Sequence, residues 1–404
     1  MNSGIRKCGM MAVAASLAAI AAEAKRPDIA AFYFPDYHAD PINERVHGEG
    51  WTEWDIVKAA RPRFEGHQQP RVPAWGYEDE SDPKVMEKKI DCAAKYGVDC
   101  FIFDWYWYDG LPFLEGCLNR GFLKAANRDR LKFCLMWANH DWSNMPIFLN
   151  GETPKLMTVD MTDADFDAAC DHIVRDYFTQ PNYYTVDGKP YFSFFEPNQL
   201  LRNFGGRFQQ PAGVKRRLDR FRAKAKAAGF PGIHFNCIVN TWMLLPGGNS
   251  SKGVPKGLKE LGFDSATTYT TVHHSPLKPV AKNDYNEAVD FYLDYLDRAV
   301  REFNVPYFPN ASVGWDPSPR TMPTDRWTAS HGSPWGGTLW DNTPKNFKRF
   351  LSLIKERCDR LGDKAPALLT VNSWNEWTET SYLEPDTIYG YGYLEAIREV
   401  FGVK

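Results

Sequence analysis

Asp99-Cys-Phe-Ile-Phe-Asp-Trp105 carries four apolar residues in a row before it turns acidic and aromatic. A strand with one face in water alternates apolar and polar residues, whereas a strand covered on both faces reads as a continuous apolar run, as in parallel sheets between helices. Such runs recur at 29–35, 131–137, 190–195, 233–238, 264–268, 307–313 and 367–374, the one at 264–268 being the least apolar. Helical patterns lie between them. The first, 82–97, opens at Ser81-Asp82-Pro83 and closes at Gly97; the others are 162–178, 211–228 with a Lys/Arg-rich outer face, 284–303 and 343–360. Eight runs with interleaved helices specify an α/β chain folded as one (β/α)8 TIM barrel. A doubly wound open sheet needs a Gly-rich phosphate turn after its first strand; Gly48-Glu49-Gly50 and Gly390-Tyr391-Gly392 lack the third glycine and that setting.

The 404 residues exceed a minimal barrel, and no linker or internal repeat divides them. The excess falls in 36–81, 241–263 and 314–342, after the first, fifth and seventh runs, so all three loops emerge at the carboxyl-end face and form a cleft there. A formal charge of −3 gives no electrostatic footprint for nucleic acid. The 14 Trp, 19 Tyr and 26 Phe exceed what a core needs and point to a stacking surface. Arg6 and Lys7 precede an apolar run from Met10 to Ala22 and the small-x-small site Ala22-Glu23-Ala24, which reads as a signal peptide over 1–24 with the mature domain at 25–404. That run is short for a membrane span and no later stretch approaches one, so the expected location is periplasmic or secreted. Seven cysteines follow, with no C-x-x-C pair and no zinc spacing; no disulfide can be assigned among them.

Polar and aromatic residues gather where the runs end. Asp36, Tyr37 and His38 follow the first, with Trp51-Thr-Glu53-Trp54 beyond. The second ends Asp104-Trp-Tyr-Trp-Tyr-Asp109, and the third Trp137-Ala-Asn-His-Asp-Trp142. Glu196 closes the fourth, Trp315 and Asp316 follow the seventh, and the eighth ends Trp374-Asn375-Glu376-Trp377-Thr378-Glu379. Carboxylates interleaved with Trp and Tyr suit a sugar cleft: aromatic faces stack on the ring, carboxylates hold hydroxyls, and a carboxyl pair attacks the glycosidic bond. Glu376 and Glu379 are the candidate pair. On a helical turn residues three apart share a face, at a separation close to the ~5–5.5 Å of retaining glycosidases. Two carboxyls so close cannot both ionise cheaply, so one becomes an acid at neutral pH. The alternative is a solvated pair at a helix N-terminus.

With these residues in view, the sequence resembles the glycoside hydrolase family 99-like group, also known as WbsX-like proteins. The resemblance runs over nearly the whole mature chain: Ala31-Phe-Tyr-Phe-Pro-Asp-Tyr-His38, Gly50-Trp-Thr-Glu-Trp54, Gly66-His-Gln-Gln-Pro-Arg71, Asp82-Pro83, Phe101 to Gly110, Trp137-Ala-Asn139, Val313-Gly-Trp-Asp316, Ser373-Trp-Asn-Glu-Trp-Thr-Glu379 and Tyr382-Leu-Glu-Pro385. It implies a (β/α)8 barrel acting on a polysaccharide or oligosaccharide, with no metal or organic cofactor. Family 99 itself contains endo-acting α-mannosidases and α-mannanases in which the substrate's own 2-hydroxyl displaces the leaving group and gives a 1,2-anhydro sugar. Carried over, Glu376 is the base for that hydroxyl and Glu379 the acid, then base, at the leaving oxygen. Thr378 stands where family 99 carries His, and Thr380 where Gly usually follows, so mannose specificity is not carried over. The WbsX-like name also carries a glycosyltransferase association, against which stand the leader, which removes the chain from nucleotide sugars, and the absence of a D-x-D motif. Transfer to a sugar acceptor and non-catalytic glycan binding are the alternative readings.

Asp36, His38, Glu53, Trp54, Asp104, Trp107, Trp137, Asn139, Glu196, Trp315, Asp316 and Asn375 are the expected substrate contacts. Glu196 is also an alternative catalytic partner for Glu376. Arg320 is either a cleft residue or an ion-pair partner without a catalytic role, and the Trp105–Tyr108 run must divide between core and cleft because alternate residues face opposite ways. His273-His274 lack metal spacing. Asn249-Ser-Ser251 and Asn310-Ala-Ser312 fit the N-glycosylation pattern.

Overall fold

The computed structural model describes residues 26–144, 154–208, 210–240, 253–278, 280–325 and 336–404. The leader at 1–24, the Asn249 motif and parts of the loops at 241–263 and 314–342 lie outside the described residues. Every apolar run contains a strand: β1 (Asp28–Tyr33), β2 (Cys100–Tyr108), β3 (Lys132–Trp137), β4 (Lys189–Phe194), β5 (His234–Ile238), β6 (Ser265–Thr267), β7 in two pieces (Tyr307–Phe308 and Asn310–Ser312) and β8 (Leu368–Asn372). Consecutive strands pair in parallel from β1 to β6.

The ring closes through a broken strand. Pro309 has no N–H to give a ladder, so β7 splits there. Its first piece pairs with β6 and its second with β8, and β8 pairs with β1. The Pro309 carbonyl still accepts from Thr370 N at 2.9 Å, which carries the pairing across the break. All nine residues of β2 are buried, as a strand covered on both faces requires.

Helices follow the strands and cover the barrel: α1 (Pro83–Lys95) after β1, α2 (Asp163–His172) after β3, α3 (Pro211–Ala227) after β4, α4 (Gly253–Leu261) after β5, α5 (Tyr285–Glu302) after β6, α6 (Pro344–Leu361) after β7 and α7 (Gly392–Phe401) after β8. Asp82 caps α1 through Lys84 N, and Thr162 with Asp165 forms a capping box on α2. Sequence periodicity did not mark α4 or α7. After β2 the chain makes the short turns Cys117–Gly121, Phe122–Lys124 and Arg128–Arg130 in place of a long helix, and it passes close to the β1–α1 loop: a Cβ on Gly121 would clash with the Glu80 carbonyl oxygen. Among the described residues no helix is long and apolar enough to cross a membrane. The seven described cysteines are buried and unbridged.

The main core fills the barrel and the helix layer. A smaller cluster, with Phe34, Tyr37, Trp54, Tyr106 and Trp377 at its centre, sits at the carboxyl-end face under the first loop. It forms the base on which the site rests.

Candidate active site

Beyond β8 the chain makes a tight hairpin, Asn375–Glu376 against Ser381–Tyr382, with a 3-10 turn Trp377–Glu379 at its tip. Thr380 closes it in the left-handed conformation, φ 51°. Glu376 precedes this turn, at φ −74° and ψ 69°, and Glu379 ends it; both carboxyls reach one cavity and one guanidinium, across a tighter turn than the α-helical one their spacing suggested.

The hairpin is held from every side. Ser373 Oγ accepts from Glu376 N at 2.8 Å, and Ser381 Oγ donates to the Asn372 carbonyl at 2.8 Å. Asn375 accepts from Phe34 N at 2.8 Å and donates to the Phe34 carbonyl at 2.7 Å, so its amide stitches β8 to the end of β1. Replacing Asn375 by Ala orphans both backbone groups at a buried site. At about 1–3 kcal/mol per group, the expected loss is roughly 2–6 kcal/mol, read as a lower denaturant midpoint with an unchanged slope.

Arg320, at the end of the turn Ser318–Arg320 beyond β7, spans the pair. Its Nη2 reaches Glu376 Oε2 at 3.0 Å, its Nη1 reaches Glu379 Oε1 at 2.5 Å, and its Nε donates to Thr378 Oγ1 at 2.9 Å. The Arg320 side chain is 13% exposed. Tyr269, just past β6, places its hydroxyl 3.2 Å from Asp104 Oδ2 and 3.3 Å from Glu376 Oε1. These groups line a cavity of about 290 Å³, near the lower end of small-ligand sites, with Glu53, Trp51, Tyr106, Trp142 and Phe195 on its walls. Asp104 Oδ1 and Glu379 Oε2 have no hydrogen-bond partner among the described residues.

Four buried carboxyls thus share one guanidinium. Burial raises Glu376 to about 8, opposed by Arg320 and reinforced by Glu379 and Glu53. Burial also raises Glu379 and Glu53, again against Arg320, and raises Asp104 well above its ordinary value with help from Glu376. The cluster therefore holds protons at neutral pH, which equips it to protonate a leaving group.

Of the residues singled out from the sequence, Glu53, Asp104, Glu376 and Glu379 meet in this cavity, together with Trp51, His140 and Arg320. The remaining expected substrate contacts are placed elsewhere. On β2 the alternation settles the aromatic run: Asp104 and Tyr106 face the cavity, while Trp107 turns away and packs against His172 and Trp105. Trp137 is fully buried against Phe166 and Phe194. Trp54 is buried between Tyr37 and Trp377, its Nε1 donating to the Glu78 carbonyl at 2.9 Å. Asn139 repeats the role of Asn375, bonding Glu196 N and the Glu196 carbonyl, both at 2.8 Å. Glu196 stands at the start of the helix Pro197–Phe204, outside the cavity lining. Asp36 is fully buried under Glu53, accepting from Asn43 Nδ2 at 2.7 Å and, through its carbonyl, from Glu53 N at 3.0 Å. His38 is buried beside Gly116, and burial lowers it to about 4. Trp315 and Asp316 line a second cavity behind the hairpin. Trp142, in the cluster that ends the third run, lies on the cavity wall, whereas Tyr269 escaped the sequence reading although it follows a barrel strand, where site residues belong.

The family model described as glycosyltransferase WbsX matches residues 29–397. Two proteins described as uncharacterized protein WxcX, from two strains of Xanthomonas campestris pv. campestris, are each 28% identical over 92% of this chain. The chain spans about half the length of these curated relatives, 49% of each. Among solved structures, a GH99 endo-alpha-mannosidase from Bacteroides thetaiotaomicron superposes with a TM-score of 0.57 at 15% identity, covering 93% of this chain and 96% of that one. A glycoside hydrolase-like protein gives 0.57 at 14% identity, with 94% and 95% covered. At these identities the likeness is one of fold, a family 99-type (β/α)8 barrel. The chain, matched almost from end to end, belongs to the WbsX family.

Proposed function

We propose that this chain is an exported glycoside hydrolase that cleaves a polysaccharide or complex glycan with retention of configuration, through Glu376 and Glu379. The observation that carries this reading is two carboxyls bridged by one guanidinium in an acidic, aromatic-walled cavity. One carboxyl donates a proton to the glycosidic oxygen while the other, ionised, acts as base or nucleophile at the sugar. The family resemblance gives Glu376 the role of base and Glu379 that of acid. The rise of Glu376 to about 8 favours the opposite placing of the proton. Two carboxyls on one cation titrate as a unit, so the proton belongs to the pair and substrate binding decides its place.

Reducing-end release from a broad polysaccharide panel tests this reading, with the anomer first formed followed by NMR. Release that survives both Glu376→Gln and Glu379→Gln moves the chemistry to other residues. The family's description favours transfer as a second reading; longer products from an added sugar acceptor, in place of reducing ends, support it.

The pair also sets the pH profile. Below about 8 it carries a proton, and above that it loses its acid, so kcat/KM is expected to fall on the alkaline side. Arg320 lowers the proton affinity of both carboxyls against the effect of burial. Arg320→Gln is therefore expected to move both limbs of the profile to higher pH; an unmoved profile rules out a tuning role for the guanidinium.

A further inference from the structure

Behind the catalytic hairpin lies a second cavity, of about 230 Å³. The two flank the same turn: Glu379 lines the first and Thr380 the second, and Asp316 N donates to the Glu379 carbonyl at 2.6 Å. Arg71 lines the second cavity, is 7% exposed, and has no hydrogen-bond partner among the described residues for its Nε and Nη1. Buried guanidinium donors left unpaired cost free energy, so such a group points to an acceptor that arrives from outside.

The nearby acids do not meet that need. Asp386 pairs with Arg71 by charge, 3.9 Å from its Nη1 and beyond hydrogen-bond reach, and its oxygens accept from Tyr382 OH at 2.8 Å and from the N–H groups of Ile388 and Tyr389. Asp316 accepts from Gln69 Nε2 at 2.7 Å and Ser318 N at 3.1 Å and pairs with His67 at 2.8 Å; Asp341 accepts from Asn346 Nδ2 at 2.9 Å. A second cation stands beside the cavity, the Lys282 ammonium lying 4.0 Å over the Trp340 ring. Trp315 and Trp340 supply aromatic surface, Trp340 being 36% exposed, and Gln68 and Asn342 supply polar groups for hydroxyls.

We propose that this cavity is a glycan subsite for a uronic acid residue, its carboxylate held by Arg71 and its ring packed against Trp340. A planar carboxylate matches the guanidinium fork, which is why Arg is the residue that recognises it bidentately. The proposal rests on the glycan-cleaving reading and deepens it, because it makes the substrate an acidic polysaccharide.

Calorimetric titration of the whole chain with galacturonate and glucuronate oligosaccharides, against their neutral galactose and glucose counterparts, tests it. The acidic ligands are expected to bind at least about tenfold more tightly, as befits one charge-assisted bidentate pair. Arg71→Gln removes that preference. Arg71→Lys, which keeps the charge and loses the fork, retains only part of it. Trp340→Ala, at a partly exposed position that leaves folding intact, weakens acidic and neutral ligands alike. Equal affinity for the two sets, or acidic binding undiminished in the Arg71 variants, overturns the proposal. Tighter binding of sulfated sugars than of uronates overturns the carboxylate assignment. Because the readout is binding, the outcomes separate: neutral glycans cleaved with no carboxylate preference sink this subsite alone, and uronate binding without cleavage of any glycan sinks the hydrolase reading alone.

Discussion

Glu379→Gln is expected to lower kcat on a polysaccharide substrate by about 10²–10⁴-fold, the range for a positioned general acid, with the fold intact. Gln keeps the shape of the side chain and an acceptor for Arg320, and the removed group is a buried acid whose ionised form is costly, so little stability is lost. The two carboxyls separate when the leaving group is changed. On an aryl glycoside of the sugar that the wild type releases, departure needs no proton, so the variant lacking the acid keeps a fast burst of released aryl alcohol, while the second step, which needs the same group as base, stays slow. The variant lacking the base or nucleophile loses both substrates equally. The resemblance expects Glu379→Gln to be rescued by the good leaving group and Glu376→Gln not to be. The reverse pattern exchanges the roles, in the direction that the rise of Glu376 to about 8 already favours. Neither substitution affecting either substrate removes the pair from the mechanism.

What could be read in the sequence follows from the range of each interaction. The barrel was legible because parallel strands buried on both faces leave a mark within each run of five to nine residues. Closure through Pro309 was not, since it depends on two different neighbours taking the two halves of β7. At the site, period-two alternation showed that Asp104 and Tyr106 share a face and Trp105 and Trp107 the other, but not which face is the cavity. Polar residues at strand ends divide the same way. Asn139 and Asn375 sit where substrate contacts belong, yet each spends its amide on the backbone of an adjacent strand, a use that no local pattern announces. Arg320 meets the pair from 56 and 59 residues away, so only the folded loop shows that one cation bridges both carboxyls.

Lys89→Met is expected to cost about 3–5 kcal/mol, the penalty for removing one partner of a buried ion pair, and to reduce turnover at temperatures well below its melting point. Lys89 on α1 has a side chain 2% exposed and lies 2.5 Å from Glu80 Oε1 and 2.6 Å from Glu384 Oε1. Glu384 accepts from Trp374 Nε1 at 2.9 Å and Trp377 Nε1 at 2.8 Å, and Glu80 accepts from Asn375 Nδ2 at 2.9 Å. One buried ammonium therefore fixes three residues of the segment that carries Glu376 and Glu379. Without it two buried carboxyls face each other uncompensated, and protonation of Glu80 relieves the repulsion. Burial already raises Glu80 in the folded state, against the pull of Lys89, and loss of the cation raises it further. A carboxyl raised on folding gives stability that is present at low pH and lost as pH rises through the folded value. The variant's deficit is thus expected to be small near pH 5 and to widen toward pH 8, measured by denaturant unfolding at both. Adding Glu80→Gln removes one of the two charges and is expected to recover part of the loss at pH 8. A deficit independent of pH, or no recovery in the double variant, shows that packing of the lysine stem, and not the charge it brings to the base of the hairpin that carries Glu376 and Glu379, is what holds this network together.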